Sequence, residues 1–298
     1  MPRPSFLALS LAGACTLGAS SLGCEPPPTV LLPADAARRG ELGSDGPHGA
    51  VWWQRAARVR GDRAIDVDVI AATDADGAPL PAQHPVLFVH GGAAAAVRYH
   101  WLARHLATRG HVVILPHFLF DLPFFADANV EGALEAVATG ESVDTDLVGV
   151  VGEREAVIMG HSLGAVVAAG AFDRSERFGS LVMVSGYPDP GSPPTRRDGF
   201  ALSIVGERDG LVDVAEVHAG LEALQTTSLG AVVDGLTHYQ LTDDPTEGEL
   251  AREGTEGDDR SLVRSRALFL LDAVVEDPLL ARDPSRWIDG LTPLSERP

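Results

Sequence analysis

The sequence predicts a single α/β domain with a mostly parallel sheet, antiparallel strands at its N-terminal side, helices on both faces and no large lid. Three observations predict it. Short runs such as VLFV and AVIM are apolar throughout, which marks strands buried on both faces. These runs alternate with helix-length stretches, the order that a parallel sheet with crossover helices requires. Ahead of them, IDVDV alternates apolar and polar residues, as a half-buried antiparallel strand does. The 298 residues are 45% hydrophobic, enough to fill one large core, and no repeat or internal linker divides them.

The elements follow in order. Strands are predicted at residues 50–59 and 64–72, with a turn at Asp74-Ala75-Asp76-Gly77 closing the pair. Residues 86–89 form a short buried strand. A helix at 99–109 is stopped by Gly110, and a strand at 111–115 by Pro116. Residues 130–138 read as a helix that continues towards 151. A strand at 156–159 leads into a helix at 165–172. Strands at 181–184 and 202–205 are separated by a short Pro-rich link. A helix at 213–224, a last strand at 231–233 and a closing helix at 261–275 complete the domain.

Composition bounds the function. The net charge is −19, and all 23 basic residues are Arg. No basic surplus exists to neutralise phosphates, so a nucleic-acid partner is not expected. Residues 1–23 read as an export signal: one Arg, then FLALSLAGACTLGASSL, whose apolar runs are short and rich in Gly, Ala and Ser, unlike a membrane span. Residues 24–48 read as a Pro/Ala-rich tether and 49–298 as the domain. Both cysteines, Cys15 and Cys24, lie in this leading region, so the body has no disulfide and no thiolate metal site. Gly23-Cys24 followed by EPPP resembles a bacterial lipoprotein signal, which implies lipidation and membrane anchoring at Cys24. Ser21 stands where such signals prefer Leu, and an ordinary signal peptide cut nearby is the alternative. Either route exports the chain, as a cell-envelope lipoprotein or a secreted protein.

In sheets of this kind ligands bind beyond the carboxyl ends of the strands. After VLFV come His90-Gly91-Gly92; after AVIM come Gly160-His161-Ser162-Leu163-Gly164; after LSIVG come Glu207-Arg208-Asp209; after AVV come Asp234-Gly235-Leu236-Thr237-His238. Four strand ends thus deliver a glycine-rich backbone, a Ser, an Asp and a His. A serine hydroxyl needs a base to become a nucleophile. His238 is that base, because imidazole titrates near neutral pH. Asp209 orients the ring through its other nitrogen, with Asp213 as the rival acid. The backbone N–H of Leu163 faces a developing oxyanion, and a second N–H comes from Gly92 or its neighbour Ala93. Ala165 stands where a further small residue is needed and is small enough for the turn. The pocket is assigned Gly91, Ala93, His117, Phe118, Phe120 and His161, with Phe124 and Phe125 as further candidates for an apolar wall. His90, His117, Asp121 and Asp127 lack any recognisable metal spacing, so no metal is expected.

These motifs carry a likeness. HGG, GHSLG, GERDGLV and GLTHYQ stand in the order of oxyanion loop, nucleophile, acid and base of the α/β-hydrolase superfamily, which the chain resembles from about Gly46 to its last helix. GPHGAVWWQRAARVRGDRAIDVDV and PVLFVHGGAAAAVRYHWLARHLATRGHVVILP are similar to the lidless dienelactone-hydrolase, chlorophyllase and polyester-hydrolase-like group. The resemblance implies the α/β-hydrolase fold and a serine esterase that needs no cofactor and takes a small or lipid-like ester. The segment 185–200 is too short for a helical lid. HFLFDLPFF departs from the Pro-Asp common after that strand in relatives. Two alternatives stand beside the esterase: a non-catalytic envelope-anchored binding protein, and an acyltransferase on the same triad. Oligomeric state is not legible.

Overall fold

The computed structural model describes residues 29–31, 42–59, 63–123, 130–139, 149–152 and 154–296. The expected export signal, Cys15, Cys24, Phe124, Phe125 and Asp127 lie outside the described residues, as do residues 140–148 of the helix expected to continue towards 151.

Among the described residues ten strands form one sheet. They are β1 (Thr29–Leu31), β2 (Gly49–Val59), β3 (Arg63–Thr73), β4 (Pro85–Val89), β5 (Val112–Pro116), β6 (Ala156–His161), β7 (Phe178–Val184), β8 (Phe200–Gly206), β9 (Thr227–Val233) and β10 (Leu291–Pro293). Their order is β1-β2-β3-β5-β4-β6-β7-β8-β9-β10. The first three strands pair antiparallel, β3 joins β5 antiparallel, and the six strands from β5 to β9 run parallel. Every residue of β4, β5, β6 and β8 is buried, as the continuous apolar runs require.

Helices cover both faces. The helices α1 (His100–Thr108), α2 (Val130–Thr139), α3 (Leu163–Arg174), α4 (Val214–Glu222), α5 (Glu247–Glu253), α6 (Arg260–Glu276) and α7 (Pro278–Ala281) follow in chain order. α1 and α6 pack on one face, through Leu102, Leu106, Leu270 and Val274 among others. α2, α3 and α4 pack on the other, through Leu134, Val167, Phe172 and Val217. Among the described residues no helix lies between β7 and β8, so no lid domain enters there.

The structure corrects two expectations and adds one helix. Residues 231–233 are not the last strand, because β10 adds antiparallel to β9 at the sheet edge. Part of the expected tether is folded: β1 pairs with β2, and residues 42–48 pack onto α1 and α6. There Gly43 N–H donates to Asp272, Gly46 N–H donates to Thr108 Oγ1 at 2.9 Å, and Asp45 meets both Arg104 and His105 at 3.2 Å. Helix α5 had no expectation at all. A Thr246–Glu249 capping box starts it and Gly254, at φ +65°, ends it.

Candidate active site

β4 and β6 are neighbours in the sheet, with Val89 opposite Gly160, so the loops that follow them meet at a point where the strand order reverses. Ser162 stands between β6 and α3 at φ 53° and ψ −123°. A non-glycine residue in that conformation is strained, and the surroundings have to enforce it. Ser162 N–H donates to Val184 at 2.8 Å, and its carbonyl accepts from Ala165 N–H at 2.9 Å. The flanking glycines have steric reasons. A Cβ on Gly160 would lie 2.2 Å from the Gly164 carbonyl oxygen, and one on Gly164 would lie 2.3 Å from that of Val89. Gly186 faces the methyl of Ala165, 2.7 Å from where its own Cβ would stand, so it makes the room that Ala165 needs.

The expected acid and base, Asp209 and His238, follow β8 and β9, which pair with Gly206 opposite Val233. His238 Nδ1 lies 3.1 Å from Asp209 Oδ1 and 3.0 Å from Oδ2. Asp209 Oδ1 also accepts from the N–H groups of Leu211 and Val212, at 3.0 and 2.9 Å. Burial raises the Asp209 pKa, but the hydrogen bond to His238, its charge and the Leu211 amide outweigh it and hold the carboxyl below its ordinary value. The rival Asp213 is an N-cap: its carboxylate accepts from Ala215 N–H at 2.7 Å and starts α4. His238 is buried and opens a short 3-10 turn capped by Thr237 and Gln240. Its ring packs on His161, with centroids 4.7 Å apart, which sets the base beside the elbow. Ser162 Oγ and His238 share no hydrogen bond; such links often tighten only when substrate is bound.

The amide donors sort themselves by what they already bond. Gly91 N–H donates to the Tyr99 hydroxyl at 3.1 Å, and Ala93 N–H donates to the Asp121 carbonyl at 2.8 Å. Gly92 lies between them, and its N–H has no backbone acceptor among the described residues. Leu163 is the first residue of α3, where an N–H has no acceptor inside the helix. A Cβ on Gly92 would stand 3.2 Å from Leu163 Cδ2, so these two residues are neighbours. The model of the alpha/beta hydrolase family matches residues 85–244, more than half of the chain, from β4 past His238.

The chain belongs to the alpha/beta hydrolase family. A search of curated proteins finds no match to it. Within this hydrolase the residues expected to line the pocket are placed as follows. Phe118 is 6% exposed and packs in the core with its ring 4.8 Å from His90. Phe120 is 76% exposed, because φ 56° turns the backbone at that residue outward. His161 is held by hydrogen bonds inside the protein. It is buried, with Nδ1 2.8 Å from the Tyr99 hydroxyl and Nε2 3.2 Å from the His238 carbonyl. Gly91 is buried and Ala93 is exposed at the rim of the oxyanion loop. His117 pairs with Asp68 at 3.0 Å, and His100 holds the same carboxylate at 2.7 Å from the other side. Burial raises the Asp68 pKa, and the two imidazoles more than reverse this and bring it down to about 2.

Sequence reasoning missed four neighbours. Leu122 Cδ2 comes within 3.9 Å of a Cβ built on Gly92. Tyr99 and Glu253 touch the base turn or its neighbour His161, and neither has a local sequence signal. A cavity of about 200 Å³ begins one residue after Gly186, lined by Tyr187, Pro188, Pro190, Pro193 and Ala219. Among the described residues no group of three His, Cys, Asp or Glu side chains is arranged to hold a metal ion, and no helix is long and apolar enough to cross a membrane.

Proposed function

We propose that this hydrolase is a serine esterase that cleaves carboxylic esters through an acyl-enzyme intermediate. The observation that carries the reading is the strained Ser162 turn, set beside a His238–Asp209 pair and two uncommitted amides. Ser162 Oγ attacks the ester carbonyl while Nε2 of His238 takes its proton. Asp209, bonded at Nδ1, keeps the proton-accepting nitrogen turned to Ser162 and stabilises the imidazolium. The carbonyl oxygen gains negative charge as it becomes tetrahedral, and the N–H groups of Leu163 and Gly92 stabilise it. His238 then protonates the leaving alcohol. Water, activated by the same base, attacks the acyl-enzyme and returns Ser162. No cofactor enters any step.

The short segment between β7 and β8 supports a place among lidless members of the dienelactone-hydrolase, chlorophyllase and polyester-hydrolase-like kind, acting on a small or lipid-like ester. Export, with lipidation at Cys24, is part of the same proposal and rests on the sequence alone. Hydrolysis of p-nitrophenyl acetate and butyrate tests the chemistry. The wild-type protein turns both over, and Ser162→Ala abolishes turnover while keeping its melting temperature. Full activity in Ser162→Ala removes the mechanism.

A further inference from the structure

Both polar groups of the His238 backbone are held by side chains. Its N–H donates to Oε1 of Glu253, and its carbonyl accepts from Nε2 of His161 at 3.2 Å. Residue 238 opens a 3-10 turn, where the first N–H groups have no partner within the turn. Glu253 is buried at the end of α5, and it also accepts from Tyr239 N–H at 3.3 Å. The base is thus gripped by its main chain at two points, separately from the Asp209 bond to its ring.

The His161 grip continues to the oxyanion loop. Tyr99 is fully buried, and its hydroxyl oxygen accepts from Gly91 N–H at 3.1 Å. That leaves the hydroxyl proton for His161 Nδ1, 2.8 Å away. A neutral imidazole that accepts at Nδ1 carries its proton on Nε2, so Nε2–H donates to the His238 carbonyl. One directed chain therefore runs Gly91 N–H, Tyr99 O–H, His161 Nε2–H, His238 C=O. Burial foremost, then the nearby His238, lowers the His161 pKa to about 3, so this ring stays neutral while its neighbour gains and loses a proton.

We propose that Tyr99 and His161 are positioning residues that tie the oxyanion loop to the base turn, with Glu253 holding the other end of the His238 peptide. The effect on turnover rests on the esterase reading; the positioning of the ring does not. Its consequence is that amide donors and base keep their mutual spacing through a hydrogen-bond chain that never touches substrate.

The test uses replacements that differ in which part of the chain they keep. The side-chain nitrogen of Gln reaches as far as imidazole Nε2, so His161→Gln retains a donor for the His238 carbonyl. Asn is shorter and retains only a partner for Tyr99. Displacing a catalytic group by about 1 Å costs on the order of a hundredfold. His161→Asn, which leaves the His238 carbonyl without its donor, is therefore expected to lower kcat on p-nitrophenyl butyrate by about tenfold to a hundredfold, with KM within about twofold. Tyr99→Phe and His161→Gln, which both keep the donor to the His238 carbonyl and break the bond between residues 99 and 161, are each expected to lower kcat by a fewfold. Glu253→Gln, which keeps one acceptor, is expected to fall between them. Histidine-selective 15N NMR on the same proteins reads the His238 ring directly: its Nδ1–H signal is expected to shift or broaden in His161→Asn and to persist in Tyr99→Phe and His161→Gln. Equal kcat values for His161→Gln and His161→Asn overturn the proposal. So does a loss of kcat no larger than the loss of folded protein on thermal unfolding. If Tyr99→Phe does not fold, the two His161 variants decide. A wild-type protein inert to esters removes the esterase reading instead, and the NMR comparison then decides the proposal: unchanged His238 signals in His161→Asn overturn it.

Discussion

His238 Nδ1 stands 3.0 Å from Asp209 Oδ2, and the carboxylate that holds it has no exposed side-chain surface. The bond puts the ring proton on Nδ1 and leaves Nε2 with its lone pair. Asp209→Asn turns a pure acceptor into a group that donates as well and reverses this tautomer, so kcat is expected to fall by about 10⁴-fold. Asp213→Asn keeps the cap of α4, since Asn caps as well as Asp, and is expected to leave kcat within about twofold. Initial rates on p-nitrophenyl butyrate measure both.

The glycines of the elbow divide by what surrounds them. Gly160→Ala drives a methyl to 2.2 Å from a backbone oxygen in a packed strand-to-helix turn, and is expected to destabilise by roughly 3 kcal/mol. Gly170, in the middle of α3, faces only the far end of the Arg174 side chain at 3.2 Å. Gly170→Ala is expected to stabilise by about 0.5–1 kcal/mol, because alanine has less conformational freedom to lose. Urea titration of the two variants gives opposite shifts of the midpoint.

The two phenylalanines after β5 are expected to part in the same way. Phe118→Ala empties a core position and is expected to cost about 3–5 kcal/mol. Phe120→Ala removes a ring that is 76% exposed and is expected to change stability by no more than about 0.5 kcal/mol. Denaturation curves separate them.

Stability is expected to fall off on both sides of neutral pH. His105 lies between Asp272 at 2.9 Å and Asp45 at 3.2 Å. Burial lowers its pKa, and the two carboxylates overcome this and raise it from 6.5 to about 9. A raised histidine stabilises fully below pH 6.5, and the gain is lost as pH rises through 9. Glu276 moves the other way. Burial raises it, and His111 and Arg109 bring it from 4.5 down to about 2, so its gain is lost as pH falls from 4.5 through 2. The buried His161 adds to the acid side, since the unfolded chain takes up its proton first. Melting temperature against pH is expected to be dome-shaped, and His105→Gln to lose the slope between pH 6.5 and 9.

How much of this was legible depended on distance along the chain. The parallel strands were legible because apolar runs such as AVIM are local, and so was the order Ser162, Asp209, His238 at their ends. β10 was not, since Leu-Thr-Pro has no strand pattern of its own and forms by pairing with β9. The packing of residues 42–48 depends on Asp272, a partner more than two hundred positions away that no local pattern announces. The aromatic run after β5 was legible in composition but not in direction: the positive φ of Phe120 exposes one ring while Phe118 turns inward. Among the amides, Gly92 could be separated from Ala93 only once the Asp121 carbonyl was seen to take the Ala93 N–H.

The central claim is that Ser162 is an activated nucleophile, and covalent labelling tests it most directly. The folded protein is treated with a fluorophosphonate and digested, and the adduct is located by mass spectrometry. The account predicts one adduct, on Ser162, that forms slowly in Asp209→Asn and not at all in Ser162→Ala. No adduct on Ser162 in folded wild-type protein, or an equal yield in Ser162→Ala, contradicts it.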